Sequence, residues 1–218
     1  MFAKIAASFA ASCFLASFVP ATGTRTSSLT ADLAGVTGSK LAVAAAGSQL
    51  VEFLNGTGQD HRGRYLQDLW QFDIEQMESS HDYIQWMFPS DEKSMYNRHA
   101  PVFTVEDQEV VKSDEGIKAN LRKSLKQFLN FIGLSFSPDG KTVVKAANFS
   151  RRLIDIYDDD YGDLNHNWLR ITRVLRCLKL AGFEAEAHAL LKMLEEIVNS
   201  EDGEEAKGSF RFWKKALE

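Results

Sequence analysis

The sequence predicts an all-α fold, a single bundle-like domain of several helices preceded by a disordered N-terminal targeting segment. Three observations predict it. From Arg62 onward apolar residues recur at helical spacing, strand-type alternation is nearly absent, and capping residues and glycine stops punctuate the periodic stretches. At 218 residues with 44% hydrophobic residues, the chain is long enough to bury one substantial core and short for two. The boundary is read between a targeting segment and linker, residues 1–54, and a helical domain, residues 55–218.

At the N-terminus, Lys4 precedes an uncharged run, Ile5 to Val19, that ends near the small residues Ala16 and Ser17. This is the layout of a signal peptide and is too short to span a bilayer, which takes about 20 apolar residues. Thr22 to Thr30 holds six Ser or Thr residues around Arg25, and acids stay scarce until Glu52, which is transit-peptide composition. Entry into the secretory route is expected, with a plastid of an alga with secondary plastids as destination and plain secretion as the alternative. No later segment is apolar enough to cross a membrane. Residues 31–58 read as a linker with a weak apolar patch at Leu50 to Leu54.

Leu66, Leu69 and Trp70 line a short first helix. Asp73 caps a second, with Ile74, Met77, Ile84 and Phe88 as its apolar positions and Pro89 as its end. Thr104 to Asp107 has the form of a capping box, and Ser113 opens a longer helix with the stripe Ile117, Leu121, Leu125, Phe128 and Ile132, stopped by Gly133. Ser137-Pro138-Asp139-Gly140 is a turn, and Val143 with Val144 forms a short strand. Further helices are read over 145–157, 166–181 and 184–198, with a last aromatic piece around Phe210 to Trp213.

Two stretches carry a family resemblance. His81-Asp82-Tyr83-Ile84-Gln85-Trp86-Met87-Phe88-Pro89 and Asn165-His166-Asn167-Trp168-Leu169-Arg170-Ile171-Thr172-Arg173-Val174-Leu175, the latter followed by Leu178, Leu180 and Gly182, resemble the opioid growth factor receptor conserved region. Ala100 to Phe103 and Phe128 to Gly133 fit between them, so that the similarity covers about Gly56 to Leu194. The resemblance implies a helical domain with no established enzymatic activity, whose vertebrate namesakes bind the opioid peptide Met-enkephalin and restrain growth.

Candidate site residues come from those two stretches. His81, Gln85 and Trp86 either pack as interhelical and core residues or line a peptide groove, since Trp offers apolar area with a polar handle. His166, Arg170 and Arg173 follow at spacings of four and three, so one helix face presents an imidazole and two guanidinium groups to an anion or to internal acids such as Asp158 to Asp160. The expected function is a non-catalytic module for a peptide or protein partner. The alternatives are a small enzyme using His81 or His166 as acid or base with Arg170 holding an anion, and a plastid structural protein.

The sequence disfavours other chemistry. Residues 1–31 carry Lys4 and Arg25 with no acid, so the net charge of -5 falls on the folded part, which opposes nucleic-acid binding. Cys177 is the one thiol beyond Cys13, which excludes a disulfide framework in the domain. No cofactor motif is present. His81, Asp82, His99 and His166 lack metal-ligand spacing, and the run Asp158 to Asp163 lacks the glycine and glutamate positions of a calcium loop.

Overall fold

The structure, a computed structural model, describes residues 47–158 and 165–218. The targeting segment and most of the Asp158 to Asp163 run therefore lie outside the described residues. The fold is all-α, with ten helices and one two-stranded hairpin among the described residues.

Helix α1, Gln49–Asn55, occupies the apolar patch read above as the tail of a linker. Ser48 caps its start by accepting from the Val51 amide, and Gly56 ends it at φ 84°. Leu50, Val51, Phe53 and Leu54 are all buried, packed toward α4, Ile84–Met87, α5, Val105–Ser113, and α6, Glu115–Phe131. The Ser48 hydroxyl donates to Asp107 Oδ1 at 2.5 Å, which joins this cap to the capping box of α5. At the other end, Asn120 Nδ2 donates to the Leu54 carbonyl at 2.9 Å.

Helix α2, Leu66–Leu69, is the short first helix of the reading. The second helix of the reading is two helices, α3, Ile74–Ser79, and α4. The Asp73 and Gln76 capping box starts α3 as expected, but Ser80 turns to extended backbone and breaks the run, leaving His81 off the helix that carries Gln85. The break persists because the freed carbonyls find an outside donor, described below.

Thr104 and Asp107 form the anticipated capping box of α5. Asp114, rather than Ser113, caps α6, accepting from the amides of Gly116 and Ile117, while the Ser113 hydroxyl turns back to the Glu109 carbonyl. Gly133 stops α6 at φ 78° and lies so close to the chain at Phe149 that an added Cβ would stand 3.0 Å from Phe149 Cα. The chain then pairs β1, Leu134–Phe136, antiparallel with β2, Val143–Lys145, in the register Leu134 to Lys145. Lys145 is spent in this ladder, so the helix expected from that residue begins later, as α7, Phe149–Tyr157.

Helices α8, His166–Leu180, α9, Glu184–Val198, and α10, Phe210–Lys215, complete the body. Indole donors tie α7, α8 and α10 together. Trp168 Nε1 donates to the Ile156 carbonyl at 2.9 Å, and Trp213 Nε1 donates to the Trp168 carbonyl at 3.1 Å. Phe88, Phe128, Phe131, Leu175, Leu178, Leu190 and Leu194 fill the shared core, each fully buried.

Candidate functional site

The break between α3 and α4 is held by α8. Arg170 is 5% exposed, and its Nη1 donates to the Met77 carbonyl and Asn167 Oδ1, while its Nη2 donates to the carbonyls of Glu78 and Ser80. A cation suits the partial negative charge of carbonyls left open at a helix C-terminus. The same guanidinium lies 5.7 Å from the ring centroids of both Tyr83 and Phe131. Its terminal nitrogens are thus committed to the fold and have no hydrogen left for an incoming anion.

Glu78, also on α3, is the hub beside it. Its carboxylate accepts from Asn167 Nδ2 at 2.9 Å and Arg152 Nη2 at 2.7 Å, and His166 Nε2 stands 2.8 Å away. Burial alone would raise its pKa, but the hydrogen bonds from Asn167 and Arg152 hold the carboxyl below the ordinary range. The His166 ring meets the His81 ring edge to face at 5.5 Å. His81 Nδ1 lies 3.3 Å from Arg170 Nη2, whose two hydrogens already serve the Glu78 and Ser80 carbonyls. Partial desolvation, then the charges of Arg170 and His166, keep His81 below its usual pKa. Among the described residues Glu78 is an acid of this cluster, a residue whose part no motif announces, while Asp159 and Asp160, read above as possible partners, lie outside the described residues.

These groups border a groove of about 740 Å³ that runs beside α8 between the segment from Ser90 to Tyr96 and α10. That volume falls within the roughly 300–1,000 Å³ usual for ligand sites. Met95, Tyr96, Leu169 and Phe212 line it at 80%, 79%, 52% and 48% exposure, so large apolar side chains from three segments face the same space. Arg173 lies half-buried along α8 in the same wall, donating to the Phe88 carbonyl at 3.3 Å. Desolvation depresses its pKa, offset by Cys177 and Glu92. Arg176, one turn further, forms a two-point pair with Asp91 at 3.1 and 2.6 Å, and that pair holds the Asp91 carboxyl below its ordinary range. Beneath them, Cys177 is buried and its thiol is pushed up to about 12, so it stays protonated and unreactive at neutral pH.

Of the residues read from the sequence, the structure brings His81, Gln85, His166, Arg170 and Arg173 to this groove. Gln85 is buried at its edge, donating to the His81 carbonyl at 3.1 Å. Trp86 lies elsewhere: it is 3% exposed, edge-on to Phe53 at 5.3 Å and stacked on His61 at 6.1 Å, which makes it a core residue. Met95, Tyr96, Leu169, Arg176 and Phe212 were not singled out, although Leu169, Arg173 and Arg176 repeat at helical spacing and Phe212 belongs to the last aromatic piece. Of the four residues weighed as metal ligands, only His81 and His166 face each other. His99 stacks on His61 at 5.2 Å, and Asp82 pairs with Arg62 and Arg64. Among the described residues, no group of three His, Cys, Asp or Glu side chains is placed to hold a metal ion.

Comparison with known proteins gives a consistent answer. The model of the opioid growth factor receptor (OGFr) conserved region matches residues 58–217. The chain is 31% identical over 135 residues to mouse opioid growth factor receptor-like protein 1, covering 61% of this chain and 28% of that protein. It is 34% identical over 129 residues to human opioid growth factor receptor, covering 56% of this chain and 18% of that protein. For the Xenopus tropicalis opioid growth factor receptor-like protein 1, identity is 32% over 124 residues, with 57% and 23% covered. The chain thus spans less than a third of the length of these relatives, and no solved structure matches it.

Proposed function

The chain belongs to the opioid growth factor receptor conserved-region family, and from that premise we propose that it is a non-catalytic binding module that takes a peptide or protein partner in the groove beside α8. One observation carries the reading: Met95, Tyr96, Leu169 and Phe212, all large and all well exposed, converge on a single concave site instead of scattering over the surface. The printed names of the relatives, receptor and receptor-like protein, agree with a recognition role. The enzyme alternative is weakened at Arg170, whose terminal nitrogens are occupied by backbone carbonyls and Asn167. We further propose that residues 1–54 include an address for the secretory route, with a secondary plastid as destination. Among the described residues no helix is long and apolar enough to cross a membrane.

The test is a pull-down from native extract with the full chain as bait, run beside the groove variant Leu169→Asp, followed by hydrogen exchange on the captured complex. A stoichiometric partner lost with Leu169→Asp, and protecting residues 91–96 and 166–176, supports the module. A partner that ignores the variant and protects another face overturns it. Turnover of a metabolite that disappears with His166→Gln would favour the enzyme instead.

A further inference from the structure

The groove resting on that reading has a chemical preference of its own. Three arginines of α8 reach it, and two are already engaged, Arg170 by the α3 carbonyls and Arg176 by Asp91. Arg173 differs. Among the described residues its hydrogen bonding is a single 3.3 Å contact to the Phe88 carbonyl, and it has no ion pair. Glu92, the carboxylate that acts on it through space, is exposed and outside ion-pair distance. A guanidinium stripped of part of its water and given one long hydrogen bond is under-satisfied in the absence of an anion.

The surroundings favour the same sign. With Arg176 set against Asp91 and Arg170 against the helix end, the remaining charged side chains of the lining are Lys93, Arg173 and Lys215 with Glu92 and Glu218, a side-chain excess of one positive charge on a chain of net charge -5. From His166 to Arg176 the groove follows α8 for about 15 Å at 1.5 Å per residue. That length admits about five residues of extended peptide at roughly 3.3 Å each. The first 46 residues of the chain do not complement it, since they carry Lys4, Arg25 and Lys40 against Asp32.

We infer that the partner presents to this groove an acidic, apolar peptide segment, whose carboxylate pairs with Arg173 while its flanking apolar side chains pack among Met95, Tyr96, Leu169 and Phe212. Arg173 is then the residue that selects, and the apolar walls supply the contact area.

The experiment pans phage-displayed random dodecapeptides on the immobilised full chain, then measures synthetic, fluorescein-labelled versions of the enriched sequences by anisotropy. The expected peptides carry Asp or Glu between apolar residues and bind Arg173→Gln about tenfold or more weakly than the natural chain, with Arg173→Lys in between. Replacing the peptide's acid by its amide should cause the same loss on the natural chain, a control independent of how any variant folds. Enriched peptides that lack acids, or that tolerate the amide, yet are lost on Leu169→Asp, overturn the acidic preference and leave the groove in place. Binding unchanged by both Leu169→Asp and Arg173→Gln, or no enrichment at all, overturns the groove as well.

Discussion

Arg170 and Arg173 stand three residues apart on one helix face, and the difference between them is what each guanidinium already touches. Replacing Arg170 by Ala strips the donor from three main-chain carbonyls around the end of α3, and each such loss costs about 1–3 kcal/mol. Chemical denaturation of Arg170→Ala should therefore show a loss of about 3 kcal/mol or more. Arg173→Gln should stay within about 1 kcal/mol of the parent, because a single long hydrogen bond is removed. The neighbouring titrations have a worked sign. Glu78 has a folded pKa below its ordinary 4.5, so its contribution is present above pH 4.5 and is lost as pH falls through the folded value. His81 resists protonation in the folded state, so stability also declines as pH falls below its ordinary 6.5. A pH series of melting curves should show Glu78→Gln less stable than the parent at pH 7 and shallower in its decline below pH 4.5.

At the scale of elements, α1 decides where the helical body begins. Its Leu50, Val51, Phe53 and Leu54 are buried against α4, α5 and α6, and burying one such side chain is worth about 1.5–3 kcal/mol. A chain beginning at residue 55 should accordingly be several kcal/mol less stable than one beginning at residue 47, as read by denaturant midpoint. A tie between the two would show that α1 is an appendage. This helix was legible only as a weak patch, because seven residues hold too few turns for periodicity to register. Longer elements such as α6, α8 and α9 were legible because their stripes repeat over fifteen residues or more and end at glycine or a cap. The α3–α4 break was not, because its cause is Arg170, some ninety residues away in the chain. A similar distance hid Glu78 as a partner of His166, and the choice between core and groove for Trp86 was settled by a contact with Phe53 that the motif does not contain.

For the molecule as a whole, a groove whose side chains carry an excess of positive charge, set on an acidic body, has kinetic consequences. Attraction toward Arg173 and Lys215 acts within about 10 Å at 0.1 M salt and is screened beyond that, so the association rate of an acidic peptide should fall as salt rises. Stopped-flow measurements across a salt series read this directly, and a flat profile would mean that charge has no part in capture. The indole network adds a final consequence. Leu169 and Phe212 wall the groove, and the residue adjacent to each in the chain, Trp168 before Leu169 and Trp213 after Phe212, is buried in the core, with the Trp213 indole donating to the Trp168 carbonyl. The wall and these two indoles therefore share the same two helices, and a molecule seated between them should shift the environment of both. The protein carries its own optical reporter of occupancy, readable as a change in intrinsic tryptophan emission without a label.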